Sequence, residues 1–259
     1  MNKTGNNNLA PQRQGLLREI VRQNGVIRVK ELCRELGASP ATVRRDLETL
    51  ESQGKLQRVH GGAVSVESRL DEPLFDDKTS IASREKRRIA QTAGSLICPR
   101  DTVYLDGGST VLELARLLSD RTDITVVTNS LRAAIELSGR GPRLILLGGE
   151  LRRLSQTVVG ALTRPVAESL HVNKAFMGTI GFSLDQGLTT TDPNEAFTKN
   201  LVASRADQVI LLADGSKLGK VSFAKAGDAK DIDVIVTDRS ADAAFLRKAR
   251  KSGIRVIQA

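Results

Sequence analysis

From residue 102 onward the chain alternates between two periodicities, and that alternation restricts the possible folds more than any other feature. Short β-rich runs recur at 102–105, 124–128, 144–147, 174–177, 208–213, 234–237 and 254–257. Helical segments stand between several of them, near 111–118, 131–137, 164–171, 195–204 and 241–251. Strands that alternate with helices predict an α/β domain with a largely parallel sheet. Ligands of such sheets gather outside the carboxyl ends of the strands. The loops that follow the runs are therefore the first place to look for chemistry.

Several of those loops are polar or glycine-rich. Asp106-Gly107-Gly108-Ser109-Thr110 stands between a run and a helix, where glycines let backbone N–H groups approach a ligand and the helix start favours an anion. The spacing is neither that of a dinucleotide fingerprint nor that of a Walker loop, so a phosphate on a small molecule fits better than a nucleotide. Taken alone, the same loop reads equally as an ordinary tight turn. Thr128-Asn129-Ser130, Gly148-Gly149-Glu150, Gly178-Thr179-Ile180-Gly181 and Asp214-Gly215-Ser216-Lys217 follow later runs. If they converge, they form a polar pocket. Lys217 supplies a cation, and Asp106, Asn129, Glu195 and Asp214 supply partners for hydroxyls.

The first 65 residues read differently. Helices are predicted from Gln12 to Asn24 and from Val29 to Leu36, with Gly37-Ala38 as a turn before a third. Ser39 is a good N-cap for that third helix, and Pro40 at its first position loses nothing by lacking an N–H. Val43, Leu47 and Leu50 share one buried face. Ala41, Thr42 and Arg45 point away from it, with Arg44 on the flank. Two short helices across a glycine turn form a helix-turn-helix, at about 27–46, and the outward groups suit base edges and phosphates. Asp46 would be repelled by phosphate, so its role is structural, pairing with an arginine. Leu56 and Val59 can anchor short strands turned by Gly61-Gly62, a wing from which Arg58 and His60 reach DNA.

Charge agrees with that division. The net charge is +9, and residues 1–69 hold 12 Lys/Arg against 7 Asp/Glu, a density suited to a polyanion. Aromatic residues are 3% of the chain, with no Trp, so stacking on exposed bases is not the expected mode of binding. The two cysteines, Cys33 and Cys98, read as small buried hydrophobes, and they offer neither a disulfide framework nor zinc spacing. No metal site and no cofactor are expected. Residues 1–10 lack an apolar core and do not read as a signal peptide, no run is long enough to span a membrane, and a cytoplasmic location is expected. Residues 66–83 read as a linker able to dock through Leu74 and Phe75. A basic helix follows over 84–97, and its Lys86-Arg87-Arg88 run reads as a solvated face.

These motifs together resemble one family. Arg13, Leu17 and Val21, then Ser39 and Thr42-Val43-Arg44-Arg45-Asp46-Leu47, look like the signature of DeoR-type bacterial transcription regulators, and Arg58 with His60-Gly61-Gly62-Ala63 is similar to their wing. Leu105 to Thr110, Val126 to Leu131, Leu146 to Arg152, Val159-Gly160, Ala175 to Gly178, Gly187 to Thr190 and Leu212 to Lys217 look like the family's effector domain. The resemblance implies a winged helix-turn-helix over 10–65 and a larger α/β domain over 84–259 that resembles ribose-5-phosphate isomerase. It implies a regulator, a repressor of a carbohydrate-metabolism operon, that acts on double-stranded operator DNA as a homodimer or homotetramer and senses a phosphorylated sugar. Ser39, Thr42, Arg44, Arg45, Arg58 and His60 would meet DNA. Asp106, Gly108, Ser109, Thr110, Asn129, Gly149, Gly178, Gly181, Glu195 and Lys217 would meet the effector. Similar isomerases use a lysine before a glycine-rich turn, and the comparable stretch here, Asp185 to Thr190, lacks it. The resemblance thus implies a sugar-phosphate pocket without turnover. A sugar-phosphate isomerase with an appended DNA-binding domain is the alternative.

Overall fold

A computed structural model of the chain describes residues 10–24, 26–59, 61–64, 75–139 and 141–259. His60, most of the expected linker and residues 1–9 lie outside the described residues. The chain divides between Asp71 and Glu72 into two compact units.

The N-terminal unit contains α1 (Ala10–Asn24), β1 (Val26–Arg28), α2 (Val29–Leu36), α3 (Pro40–Ser52), β2 (Gln57–Val59) and β3 (Gly62–Val64). α2 ends at Gly37 in the left-handed region (φ 60°), which turns the chain towards α3. Ser39 caps α3, its Oγ accepting the Thr42 N–H at 3.2 Å. Leu17 and Val21 of α1, Leu32 and Leu36 of α2, and Val43, Leu47 and Leu50 of α3 close a small core. The extended piece before α2 does more than connect. β1 pairs antiparallel with β3, which pairs with β2, so the wing is a three-stranded sheet. A Cβ on Gly62 would stand 2.3 Å from the Ile27 carbonyl oxygen, so that pairing requires glycine.

The C-terminal unit opens with α4 (Phe75–Ser80) and α5 (Ser83–Gly94). There follow β4 (Thr102–Leu105), α6 (Ser109–Leu117), β5 (Thr125–Thr128), α7 (Leu131–Leu137), β6 (Arg143–Leu146), β7 (Glu150–Arg152), β8 (Thr157–Val159), α8 (Arg164–Glu168) and β9 (Val172–Met177). The chain continues through β10 (Gly181–Ser183), β11 (Gly187–Thr190), α9 (Pro193–Ala203), β12 (Ala206–Leu212), β13 (Ala224–Gly227), β14 (Val234–Thr237), α10 (Ala243–Lys251) and β15 (Arg255–Gln258). The seven runs read from the sequence form one parallel sheet in the order β15-β14-β12-β9-β4-β5-β6. Side chains alternate between its faces. Val103 and Leu105 join a core with α5, α6 and α7, while Tyr104 joins one with α8, α9 and α10. β7 pairs with β8, and β10, β11 and β13 form a second small sheet. Phe75 is buried in the α5–α6 core, and residues 75–80 of the expected linker form α4; Leu74, the other expected anchor, lies outside the described residues.

Candidate functional site

The sheet order places the principal site. From β4 the chain steps outward to β5 and β6, then returns to the other side of β4 at β9 and steps outward again through β12, β14 and β15. The carboxyl ends of β4 and β9 therefore flank a topological switch point, where the diverging connections leave a crevice. A cavity lies there. Its lining includes Asp106 and Gly107 to Thr110 after β4, Asn129 after β5, Gly178 to Ile180 after β9 and Ala213, Asp214, Ser216 and Lys217 after β12. Glu195 and Lys199 of α9, Ser155 and Thr157 beside β8, and Lys78, Ile81 and Lys86 complete the wall.

The two ends of the cavity differ chemically. At one end Gly108 (φ 131°) lets the loop turn into α6, which starts at Ser109 and Thr110, both nearly buried. Lys217 ends a 3-10 turn capped by Asp214, whose Oδ1 accepts the Ser216 N–H at 3.0 Å. Lys86 and Lys78 line the same cavity, and the charges of Asp214 and Lys217 act on Lys86. Hydroxyls, a helix N-terminus and lysines together suit a phosphoryl group.

Carboxylates held by cations make up the other end. Asp106 is 1% exposed, and its Oδ2 accepts the Gly178 N–H at 3.0 Å and an ion pair from Lys199. The Lys199 ammonium also donates to the Gly178 carbonyl at 3.1 Å. Burial pushes the Asp106 carboxyl above its ordinary range, and the Lys199 ammonium and the Gly178 N–H oppose that push. Gly178 lies against the neighbouring loop, since a Cβ there would stand 2.6 Å from the Gly107 oxygen. Asp192 caps α9, which places Glu195 in the first turn and Lys199 one turn later on the same face. Glu195 accepts from Arg152 at 3.2 Å, Thr157 at 3.3 Å and Thr190 at 2.7 Å. Asn129 donates its amide N–H to the Val158 carbonyl at 3.1 Å, while its Oδ1 is buried without a protein partner. An orphaned acceptor in a cavity wall calls for a donor from outside the chain, and a ligand hydroxyl is one.

Eight of the ten residues expected at the effector site line this cavity: Asp106, Gly108, Ser109, Thr110, Asn129, Gly178, Glu195 and Lys217. Gly149 and Gly181 do not. Gly149 packs against Val158 and Thr163, and Gly181 against the Lys220 backbone, so both serve close packing instead. Sequence reasoning missed Lys199, Lys86, Ser155 and Thr157. The i, i+4 spacing of Glu195 and Lys199 was the available signal for one of them. The solvated face expected for Lys86-Arg87-Arg88 is corrected at its first residue. Lys86 is 5% exposed, because its position on α5 faces the cavity and the core. Cys98 is likewise exposed rather than buried, since α5 has already ended, and Cys33 is half-buried.

In the N-terminal unit α3 presents Arg44 and Arg45 to solvent, and Thr42 is partly exposed. Asp46 points inward and is 2% exposed. It accepts from Arg13 Nε at 2.5 Å, Arg13 Nη2 at 3.1 Å and Gln14 Nε2 at 3.0 Å, which ties α3 to α1. Arg58 on β2 holds Glu48 at 2.8 Å, and its backbone N–H donates to Glu51 at 3.0 Å. Ser39 Oγ lies 2.8 Å from Thr42 Oγ1, so these two hydroxyls are already paired. Lys30, Arg44 and Arg58 line one groove between α2, α3 and the wing, a cationic trough for a phosphate backbone.

Comparison with known proteins agrees with both units. Residues 13–69 match the DeoR-like helix-turn-helix domain, and residues 81–239 match the DeoR C terminal sensor domain. HTH-type transcriptional regulator GlpR of Haloferax volcanii is 36% identical over 249 residues, covering 96% of this chain and 98% of that protein. The uncharacterized HTH-type transcriptional regulator YulB of Bacillus subtilis is 35% identical over 249 residues, 96% of each chain. The lactose phosphotransferase system repressor of Streptococcus mutans is 36% identical over 224 residues, 85% of this chain and 88% of that protein. A solved D-ribose-5-phosphate isomerase in complex with phospho-erythronic acid overlaps 52% of this chain and 54% of its own at 18% identity and a TM-score of 0.40, too distant to carry a functional argument. The chain belongs to the DeoR family of DNA-binding transcriptional regulators, with a helix-turn-helix domain joined to a C-terminal sensor domain.

Proposed function

We propose that this regulator represses a carbohydrate-metabolism operon and that a phosphorylated sugar in the switch-point cavity controls its hold on DNA. The observation that carries the reading is the buried, unpartnered Oδ1 of Asn129, in a wall whose other groups form a cationic end and a carboxylate end. The phosphate would sit on Gly108, Ser109, Thr110 and Lys217. Sugar hydroxyls would donate to Asn129 and exchange hydrogen bonds with Asp106, Glu195 and Lys199. Thr42, Arg44 and Arg45 would enter the major groove, with Ser39 and Arg58 on the backbone once Arg58 leaves Glu48. His60 is assigned to the same wing contact on its sequence position alone.

Two copies acting on repeated half-sites fit a helix-turn-helix protein. The effector alters DNA binding only through a difference in its affinity for the DNA-bound and free arrangements. The protein is read as a sensor and not an enzyme. Asp106 and Glu195 are already engaged by Lys199 and Arg152, so neither of these carboxylates stands free as a base for proton transfer. Thermal-shift screening of sugar phosphates against their unphosphorylated sugars tests the reading. A stabilising hit confined to phosphorylated compounds is expected, and equal shifts from the free sugars would overturn it.

A further inference from the structure

Lys86 is a buried lysine that is not neutralised by a carboxylate. Its ammonium donates to two main-chain oxygens, those of Lys78 and of Ile81, the latter at 2.6 Å. Those carbonyls lie at the end of α4 and in the turn after it, where a helix leaves oxygens without intrahelical donors. A lysine on α5 therefore caps the short helix before it. An ammonium carries three N–H groups, and the third has no protein partner among the described residues. Lys86 also lines the cavity, where Asp214 and Lys217 of the same lining act on its charge.

α4 is the first described element after the N-terminal unit, so the chain enters the sensor unit through it. The turn between α4 and α5 contains Ala82 in the left-handed region (φ 53°) and the exposed Ile81. Within the sensor unit Lys86 ties this entry segment to α5 and the cavity wall through two of its main-chain oxygens. A group bound in the cavity can thus act on the entry segment through Lys86.

We propose that Lys86 clamps the entry segment when the cavity is filled: it keeps the carbonyls of Lys78 and Ile81 and gives its remaining N–H to the bound phosphoryl group. This rests on the phosphorylated-ligand reading of the cavity. The burial of Lys86 agrees with it. The ammonium is desolvated without a matching anion, and its pKa is lowered to about 8. The charged groups that act on it are Asp214 and Glu113, which favour its charge, and Lys217 and Lys78, which oppose it. A phosphoryl dianion would reverse that balance, so binding near pH 8 takes up a proton, up to about half of one for a group that titrates there.

Inorganic phosphate serves as the probe, because it reads the subsite whichever sugar the cavity accepts. In the full-length protein, phosphate is expected to slow amide hydrogen exchange over residues 75–82. Calorimetry at pH 8 in two buffers of different ionisation enthalpy is expected to show proton uptake. Lys86→Gln keeps two N–H donors for the α4 carbonyls but removes the charge. It should bind phosphate on the order of tenfold more weakly or worse, lose the excess proton uptake, and leave exchange over 75–82 unchanged by phosphate. If wild-type protein binds phosphate but exchange over 75–82 does not slow, the clamp is wrong while the cavity reading stands. The same conclusion follows if Lys86→Gln binds phosphate as tightly as wild type. If wild-type protein binds neither phosphate nor any sugar phosphate, both fall together. The wild-type exchange measurement decides the question even if Lys86→Gln fails to fold.

Discussion

Lys199→Met tests how the carboxylate end of the cavity is held together. The substitution keeps the bulk of the side chain and removes the cation that faces Asp106. It leaves a carboxyl that is 1% exposed with the Gly178 N–H, at 3.0 Å, as its donor. Breaking a buried pair by removing one partner costs roughly 3–5 kcal/mol, because the other charge stays buried without compensation. Asp106 can escape part of that cost by taking up a proton. Burial already raises its pKa in the wild type, and losing Lys199 removes the largest opposing effect. In the variant the native state therefore keeps the Asp106 proton to higher pH than the unfolded state does. Stability is greatest at low pH and falls as pH rises through the folded-state pKa. The penalty of the variant should grow by about 1.4 kcal/mol per pH unit between the wild-type and variant values. At pH 8 the full roughly 3–5 kcal/mol is expected, and at pH 5 clearly less.

Tyr104 makes the assay specific. It is the only tyrosine in a chain without tryptophan, it is fully buried, and it stands two residues before Asp106. Its fluorescence during urea unfolding of the full chain reports the sensor unit. For a unit of this size the pH 8 penalty corresponds to a fall of roughly 6–20 °C in Tm. Combining Asp106→Asn with Lys199→Met removes both charges and should recover most of the loss. A loss equal at pH 5 and pH 8, or a double variant no better than the single, would refute the reasoning.

Three further outcomes follow from the same contacts. Asp46→Ala should destabilise the N-terminal unit by about 2–3 kcal/mol, less than the roughly 3–5 kcal/mol of a fully buried pair because Arg13 remains 19% exposed; chemical denaturation of residues 1–71, if they fold alone, or of the full chain measures it. Arg45→Ala should weaken operator binding by about 1–3 kcal/mol in a fluorescence-anisotropy titration while leaving ligand-induced thermal shifts unchanged, and a normal operator affinity would remove Arg45 from the interface. Ser109→Ala with Thr110→Ala should abolish the response to sugar phosphates in a gel shift while operator binding persists; normal release would mean that the phosphate subsite lies elsewhere.

Much of the fold was legible because burial leaves a strong trace in short segments. The inner strands of the parallel sheet are covered on both faces, so runs such as 209–213 and 234–236 are apolar throughout and stand out from their surroundings. The turn into α3 was legible through Ser39, Pro40 and Gly37, whose roles depend on neighbours in the chain. β7, β8, β10 and β11 were not. They are three or four residues long, and long-range pairing fixes them rather than a local pattern. The pairing of β1 with β3 across the unit is similar.

The site divides along the same line. Loop residues after strands could be named from the rule that ligands gather there, which is how Asp106, Ser109, Asn129 and Lys217 were reached. Lys199 and Lys86 could not be reached that way. A lysine on a helix usually faces solvent, and what buries these two lies far away: Asp106 is 93 residues from Lys199. Gly149 and Gly181 were drawn in for the opposite reason. Glycine marks close approach to a ligand and close approach to another part of the chain equally well.

The central claim is that one cavity in the sensor unit reads a phosphorylated sugar and passes the result to the helix-turn-helix. The most direct measurement is operator affinity of the full-length protein by fluorescence anisotropy at fixed salt, titrated with each stabilising sugar phosphate and with its unphosphorylated parent. The account predicts a change in operator affinity of at least tenfold with the phosphorylated compound. It predicts none with the parent, and none with the Ser109→Ala, Thr110→Ala double variant. Equal operator affinity across saturating sugar phosphate, by a compound shown to bind the wild-type protein, would contradict it.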